Sequence, residues 1–311
     1  MSETIEVSET IRDILAEENV TPNARVTSVC EAIAARHPNR VQAFMYYGSS
    51  LRDLDDAEKM LDFYVIVDSY RKTHKNLIRA LLNRLIPPAV YYYEQTDANG
   101  VLSTCKYSII SMAEFQKRCG AHALLSMVWG RFCQPSVMLF PKDDLIAERL
   151  MASRETAVKH MAAQIAPLID DPITSTQFWA KGFYESYRTE LRPESSEGRA
   201  AEIVARYGDR YARLTTALYG PPDKDGLYIL PNTPAGPTKT NWLLRRLIGK
   251  PTAALRVINS AATFDGGLDY VLRKLKNHSG VTIEPTPFQR KHPVICSPVL
   301  GWKLWRKGAF S

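Results

Sequence analysis

Two short apolar stretches near the start of the chain constrain the fold more than any other feature of the sequence. Residues 41–47 are apolar and aromatic, and Gly48 and two serines end this stretch. A polar, charged segment follows, after which residues 60–67 form a second apolar run. Both runs have the length and the aromatic and β-branched content of buried strands, and a glycine followed by serines is typical of a tight turn. The sequence therefore predicts two neighbouring strands joined by a polar connection.

The rest of the first half alternates between helical and strand patterns. Amphipathic helices are predicted before the first strand, and a further helix after the second strand, which two consecutive prolines would stop. These predicted elements are helices 9–19, 26–37 and 70–86 and strands 90–93 and 106–110. The first half is therefore expected to form an α/β domain over residues 1–143.

From about residue 144 the pattern changes to helical periodicity with few strand signals. The predicted helices cover 144–167, 196–219 and 240–276, and a loop rich in proline and glycine covers 220–238. The last segment contains prolines and then mixes tryptophans with cations. We therefore predict a mainly helical domain over 144–284 and an aromatic and basic tail over 285–311.

Composition narrows the class of protein. With 311 residues and 45% hydrophobic content the chain can bury a large core, and a charged fraction of 23% argues against disorder. The net charge of +7 suits anionic partners such as nucleotides, nucleic acid or an acidic membrane surface, without choosing among them. No RNA-recognition motif accompanies the charge, so no nucleic-acid partner is expected.

Cysteine usage and the N-terminus bear on the compartment. The five cysteines are an odd number with wide spacings and no CxxC pair, which argues against zinc and against a disulfide framework. A reducing compartment fits this usage. The acidic N-terminus argues against a signal or transit peptide, and no stretch reaches the roughly 18 apolar residues that a membrane span needs. We expect a cytoplasmic protein whose membrane contact is peripheral.

The turn after the first strand and the start of the second strand carry the most informative chemistry. Gly48, Ser49 and Ser50 form a glycine-serine turn, and Asp62 opens the next apolar run. Glycine lets the backbone approach a phosphate, and the N–H groups and hydroxyls after it can hold a triphosphate. A carboxylate on the neighbouring strand can bind Mg²⁺, which prefers oxygen ligands and bridges to phosphates. This arrangement is the signature of nucleotidyltransferases.

The position of the second metal ligand is less clear, because the usual signature has another acid where this chain has Tyr64. Asp68 is a poor substitute, since six residues of straight strand span roughly 20 Å. Asp53, Asp55 and Glu94 remain candidates, and nothing in the sequence ranks them. The second ligand is therefore left open, and a non-catalytic nucleotide-binding module remains an alternative to an enzyme.

Short blocks along the chain are similar, in order and spacing, to those of one known family. They extend from about residue 43 to 270. The blocks are Tyr47-Gly48-Ser49, Met60-Leu61-Asp62-Phe63, His74, Lys106-Tyr107 with Ile109-Ile110-Ser111, Gly130-Arg131-Phe132 with Pro135, Tyr187 with Glu190 and Arg192, and, more loosely, Leu255 to Gly266. In this order they resemble the YGSG, hydrophobic-Asp-Phe, Trp-His, KYGVIS, AGRLQKP, SYxGDxR and TIKGxFTAG blocks of the mitochondrial translocator assembly and maintenance proteins. Ser50, Thr73, Ser108 and Glu190 stand where that family has Gly, Trp, Gly and Asp.

These proteins are mitochondrial-type phosphatidate cytidylyltransferases, and the resemblance implies both a fold and a reaction. The fold would be an N-terminal nucleotidyltransferase domain with a mixed sheet, followed by a mainly helical C-terminal domain. The reaction would join CTP and phosphatidic acid, with Mg²⁺, to give CDP-diacylglycerol and pyrophosphate. The acidic N-terminus suggests a bacterial relative. The four replaced residues leave open another base and another acceptor, such as an isoprenoid or sugar phosphate, a protein or RNA.

The resemblance and the chemistry of the side chains assign roles in the first half. Asp62 would bind Mg²⁺, and the turn at 48–50 would hold the β and γ phosphates. Lys106 and Arg131 would pair with phosphates, the lysine as a point charge and the arginine as a planar fork. His74 would contact a phosphate or a substrate hydroxyl, and a packed or capping histidine is the alternative.

Two further predictions concern the second half. Tyr187, Glu190 and Arg192 would converge on the substrate if a helix ends beside Pro193, and an internal Glu–Arg pair is the alternative. The tail carries two tryptophans among lysines and arginines. Tryptophan favours the membrane interface and cations favour anionic lipid heads, so the tail is the expected membrane contact. A tail packed on the domain is the alternative. CTP and a phospholipid are the expected partners.

Overall fold

A five-stranded mixed sheet organises the N-terminal half of the chain. The computed structural model describes residues 2–307 except 54, 55, 57, 58, 99, 171, 192–194, 264–267, 269–271, 273–275, 277, 278 and 292. The strands are β1 (Val41–Tyr47), β2 (Leu61–Val67), β3 (Ala89–Thr96), β4 (Leu102–Ser111) and β5 (Val137–Leu139). They lie in the order β3-β4-β2-β1-β5, with β2 and β4 parallel and the other neighbours antiparallel.

Helices surround the sheet and make up the C-terminal half. The helices up to β5 are α1 (Ser2–Ala16), α2 (Ala24–Arg36), α3 (Ser49–Arg52), α4 (Tyr70–Thr73), α5 (Leu77–Leu85), α6 (Met112–Arg118) and α7 (Trp129–Phe132). Those after β5 are α8 (Asp144–Ile165), α9 (Ser175–Tyr187), α10 (Ser196–Arg206), α11 (Gly208–Tyr219), α12 (Ala235–Thr263), α13 (Pro287–Lys291) and α14 (Pro293–Arg306). The predicted α/β class, with a mixed sheet and a mainly helical C-terminal part, is confirmed.

The elements differ from the prediction in several places. α1 begins at Ser2 rather than at 9, α9 was not predicted, α12 begins inside the predicted loop, and two predicted helices are interrupted. The helix predicted over 70–86 is two helices, because the Asn76 side chain accepts from the backbone N–H groups of Ile78 and Arg79 and starts α5 anew. The helix predicted over 196–219 is likewise divided between α10 and α11. Strand β5 was not predicted, since three residues carry too little periodicity. The predicted tail contains two helices, α13 and α14.

The two faces of the sheet pack against different helices. Successive residues of a strand point to opposite faces, so Phe63 and Val65 of β2 lie on one face and Asp62 and Tyr64 on the other. The first face is covered by α2 through residues such as Val29. The second face packs in one continuous core with side chains from α1, α8, α9 and α11. The helical half therefore covers the face that carries Asp62.

A buried ion-pair network joins the N-terminal helix to the helical half. Glu18, just after α1, pairs through one carboxylate with both Arg154 of α8 and Arg210 of α11. Arg210 also donates to the carbonyl oxygen of Cys133 at 3.0 Å. Removing the carboxylate would leave two buried guanidiniums without this counter-ion. α8 begins at Asp144, the first residue of the predicted helical domain, and the core continues across that point.

Candidate functional site

A row of four side chains crosses the sheet. Tyr47, Asp62, Lys106 and Tyr92 are consecutive register partners on β1, β2, β4 and β3. Register partners point to the same face of a sheet, so these side chains lie side by side. The Lys106 ammonium is 3.0 Å from Asp62 Oδ1, and this carboxylate raises the pKa of Lys106. The structure thus brings together two of the three predicted catalytic residues from separate strands.

Gly48 lies directly against the Asp62 carboxylate. Its φ of 95° and ψ of −161° fall in a region that glycine adopts and that strains other residues. A Cβ at this position would lie 2.9 Å from Asp62 Oδ2. Ser49 opens the short helix α3, whereas Ser50 is buried and lies beside Tyr46, a residue of the core on the other face. The turn therefore brings Gly48 to the carboxylate and directs Ser50 toward the other core.

Arg131, the third predicted catalytic residue, reaches the row from α7. Its guanidinium donates to the Tyr47 hydroxyl at 3.3 Å, and its central carbon lies 4.9 Å from the centre of the Tyr47 ring. Phe132, the next residue of α7, packs edge-on against Tyr64 at 5.0 Å between ring centres. This buried contact anchors α7 on the sheet and fixes Arg131 beside the row.

Tyr64, at the position of the missing second acid, lies inside a charged cluster. Burial raises the pKa of Tyr64, the guanidiniums of Arg131 and Arg256 lower it, and the Glu190 carboxylate raises it. The Arg131 guanidinium lies 6.0 Å from the centre of the Tyr64 ring, and the charges of Arg256, Glu190 and Arg118 are close enough to act on the phenol. Its hydroxyl is buried and has no hydrogen-bond partner within the described part of the chain. Since buried polar groups normally have a partner, this orphaned donor suggests a place for a bound ligand or water.

Arg256 belongs to the site although its role was not predicted from the sequence. It comes from α12 and places one guanidinium nitrogen 2.9 Å from the sulfur of Met127. Its Nε is buried and finds no acceptor among the residues that the structure describes. Sulfur is a weak acceptor, so this guanidinium retains unused capacity to bind an anion. The block that starts at Leu255 contains Arg256, but nothing in the sequence connects it to Asp62.

His74 lies away from this cluster and is engaged in packing. Asn83 Oδ1 accepts from the backbone N–H of Ala89 at 2.8 Å, so Asn83 Nδ2 donates to His74 Nε2 at 2.9 Å. The other ring nitrogen, Nδ1, then donates to the Tyr91 hydroxyl, 3.1 Å away. Burial lowers the pKa of His74 to about 4, so the ring is neutral at neutral pH. These contacts correspond to the packed histidine, and they do not bring His74 to Asp62.

The three residues predicted at the end of a helix are placed separately. α9 ends at Tyr187, whose ring is buried and stacks on Phe183 at 6.3 Å between centres. Glu190 follows in a turn and lies near Arg131, since its carboxylate raises the pKa of that guanidinium against the effect of burial. Arg192 lies outside the described residues. Glu190 is thus the member of this set that the structure brings to the cluster.

The candidates for a second metal ligand make other contacts or lie outside the described residues. Asp53 forms an ion pair with Lys59. Glu94 is exposed on the edge strand β3, which is two strand spacings, or about 10 Å, from β2. Its carboxylate accepts a hydrogen bond from the Tyr92 hydroxyl at 2.8 Å. Asp55 is outside the described residues. Within the described ranges, no three His, Cys, Asp or Glu side chains are grouped closely enough to hold a metal ion.

A broad groove lies elsewhere on the surface. It has a volume of about 1030 Å³ and runs between α1, α11 and the loop that follows α11, with Ile14, Thr216 and Ile229 among its lining residues. None of the residues that line it belongs to the row or to the cluster around Tyr64. Among the helices that the structure describes, none combines the length and the apolar character needed to cross a bilayer.

The sequence matches no protein-family model, and no curated protein matches it significantly. The resemblance to the translocator assembly and maintenance proteins therefore rests on the short blocks themselves. The structure brings seven of the block residues to the row or to the cluster around Tyr64. They are Tyr47, Gly48, Asp62, Lys106, Arg131, Glu190 and Arg256.

Proposed function

We propose that the chain is a magnesium-dependent nucleotidyltransferase. The observation that carries the proposal is the convergence of three cations and two carboxylates, Asp62 and Glu190, on one face of the sheet. Asp62 lies between Gly48 and Lys106, and the guanidiniums of Arg131 and Arg256 lie around Tyr64 on the same face. The Tyr64 hydroxyl and an Arg256 N–H remain buried without acceptors in the described structure. Excess positive charge and unfilled donors together suit a polyanionic ligand such as a triphosphate.

The reaction needs positioning and charge neutralisation more than it needs a catalytic base. A phosphate acceptor is already ionised near neutral pH, so one of its oxygens can attack the α-phosphorus of the nucleotide directly. The bond between the α-phosphorus and the bridging oxygen breaks, and pyrophosphate leaves with the electron pair. Lys106 and Arg131 would offset the negative charge that grows on the leaving pyrophosphate.

The donor set fits one magnesium ion held by a single protein carboxylate. Asp62 Oδ1 is paired with Lys106, so Oδ2, on the side of Gly48, is the oxygen that would bind the ion. Mg²⁺ often takes only one or two carboxylates from a protein and completes its shell with phosphate oxygens and water. When bound, it would neutralise charge on the triphosphate.

For the substrates we propose CTP and phosphatidic acid, on the basis of the resemblance. A lipid acceptor requires contact with a membrane, and the predicted tail contains a surface suited to it. Trp302 and Trp305 of α14 are 54% and 68% exposed and neighbour Lys303 and Arg306. Tryptophans next to cations favour the interface of an anionic membrane. We therefore propose a cytoplasmic protein that binds the membrane peripherally through α14.

A substrate matrix tests this proposal. The purified chain is incubated with Mg²⁺ and each of four nucleoside triphosphates, with phosphatidic acid, an isoprenoid phosphate or a sugar phosphate as the acceptor. We expect pyrophosphate release with CTP and phosphatidic acid, and CDP-diacylglycerol by mass spectrometry. Release with another pair would support a nucleotidyltransferase that acts on substrates other than those proposed. No release with any pair would contradict the proposal that the chain is an enzyme.

A non-catalytic nucleotide-binding module is the second candidate, because of two observations at the metal position. Lys106 pairs with Asp62, and Tyr64 replaces the usual second acid. An ammonium next to the carboxylate weakens its attraction for a divalent cation. Such a module would bind CTP in a calorimeter and release no pyrophosphate with any acceptor, whereas the enzyme would show both binding and release.

A further inference from the structure

Helix α12 differs from an ordinary surface helix because a strip of its aliphatic side chains is exposed to solvent. Six of its aliphatic side chains are between 42% and 62% exposed. They are Leu243, Leu244, Leu247, Ile248, Leu255 and Val257. A surface helix normally turns such residues toward the core and its polar residues toward water. An exposed apolar strip of this kind indicates a surface that binds something.

The inner side of α12 is fixed by close contacts, so the helix cannot rotate to bury the strip. Trp242 and Arg245 are buried, and Arg245 donates to the carbonyl oxygen of Leu124 at 2.7 Å. Gly249 packs so closely that a Cβ there would lie 2.3 Å from the carbonyl oxygen of Thr189. The leucines therefore face outward because the inner positions are occupied by residues that the fold requires.

The charged side chains of α12 itself are all basic. The sequence contains no Asp or Glu between Asp225 and Asp265, a stretch that includes all of α12. Lys239 and Lys250 are exposed on the helix. Arg246 is partly exposed and pairs with Glu185, a residue of α9 that is itself buried. A helix face with leucines flanked by cations and with no acids complements a surface that has anionic groups at its outside and an apolar layer beneath them.

We propose that the outer face of α12 lies on the surface of an anionic phospholipid bilayer. The leucines would enter the interfacial region while the lysines reach the headgroups along their flexible stems. A second copy of the chain is a poorer occupant, since a symmetric contact would place the lysines of one copy against those of the other. This docking is independent of the proposed reaction and adds a second contact to that of α14.

The same helix connects this surface to the site. Arg256, one residue after Leu255, points to the cluster around Tyr64, while Leu255 is exposed. Docking of α12 would therefore hold Asp62 and the cluster around Tyr64 close to the membrane surface. If the proposed reaction is correct, this arrangement explains how a lipid phosphate reaches an otherwise covered site.

Vesicle binding tests the proposal without nucleotide or phosphatidic acid. Full-length chain is mixed with vesicles of phosphatidylcholine alone or with phosphatidylglycerol, and the bound fraction is measured by flotation. The double variant Leu243→Asp and Leu247→Asp should reduce the affinity for anionic vesicles more than about tenfold. Leu145→Asp is the matched control, since Leu145 is 66% exposed on α8, and it should bind like the wild type.

Three outcomes would overturn the proposal. They are equal binding by the wild type and the double variant, equal binding to neutral and anionic vesicles, and an α12-dependent dimer in light scattering without vesicle binding. Thermal unfolding of each variant shows that its fold is intact. A variant with Trp302→Asp and Trp305→Asp separates the contribution of α14, because α12 should retain residual anionic binding. Failure of the cytidylyltransferase assay alone would leave these binding results unchanged.

Discussion

Replacing Gly48 with alanine should disturb both the backbone and the carboxylate on which the site depends. Gly48 has a φ of 95° and a ψ of −161°, where a residue with a Cβ is strained by about 1–3 kcal/mol. The new Cβ would lie 2.9 Å from Asp62 Oδ2 and 3.3 Å from Asp62 Cβ. Relief requires the carboxylate to turn or the backbone to move, which costs about another 1–3 kcal/mol. We therefore expect Gly48→Ala to lower the free energy of unfolding by about 2–6 kcal/mol.

Gly220→Ala is the matched control for the backbone contribution. Gly220 has a φ of 84° and a ψ of 178°, and no heavy atom lies within 4 Å of a Cβ built there. It should therefore show only the strain of about 1–3 kcal/mol. Urea denaturation of both variants gives the two losses, and CTP binding measured by calorimetry should fall in Gly48→Ala alone. Equal losses of stability and unchanged binding would refute the inferred contact between Gly48 and Asp62.

Three further predictions concern the buried charges and the site. Glu18→Gln should lower the free energy of unfolding by about 3–5 kcal/mol, because two buried arginines lose their counter-ion. Glu17→Gln, which affects only an exposed pair with Arg213, should have a much smaller effect in the same denaturation assay, and equal effects would contradict this reading. The pKa of His74 is lowered from 6.5 to about 4, so the unfolded chain binds the proton first and stability should fall as the pH drops from 6.5 toward 4, by at most about 3 kcal/mol. His74→Phe should reduce the slope in this pH range, to which His160 also contributes because burial lowers its pKa to about 4, and an unchanged slope would count against a buried neutral His74 ring. Arg131→Lys keeps the charge and loses the planar contact with Tyr47, so pyrophosphate release should fall by about tenfold or more while stability changes little, and undiminished release would remove Arg131 from the site.

The sequence predicted the parts of the fold that depend on local pattern. β1 was predicted at its observed bounds and β2 within one residue, because both are short apolar runs that end in polar residues. The pairing of Asp62 with Lys106 could not be predicted from local sequence. It depends on the parallel register of β2 and β4, which no local pattern specifies. The turn and the following strand supplied Asp62, the resemblance supplied Lys106, and the structure shows that their side chains meet.

Other parts of the site could not be read from the sequence. Arg256 comes near Tyr64 because α12 packs against β3 of the sheet, so its place depends on long-range packing rather than on periodicity. His74 falls on a block of the family. Its two ring nitrogens form hydrogen bonds with Asn83 and Tyr91, which belong to none of the blocks and are brought to His74 by the fold. A motif therefore located the residue without revealing its partners.

We propose that Asp62 binds the metal ion on which nucleotidyl transfer depends. The most direct measurement is pyrophosphate release from CTP, with Mg²⁺ and phosphatidic acid in mixed micelles, for the wild type, Asp62→Asn and Asp68→Asn. Asp68 is a suitable control because its carboxylate lies at the other end of the strand in a surface pair with Arg40, at 2.9 Å. We expect Asp62→Asn to lose at least about a hundredfold in rate at an unchanged unfolding temperature, and Asp68→Asn to keep the wild-type rate. Wild-type turnover by Asp62→Asn would contradict the claim.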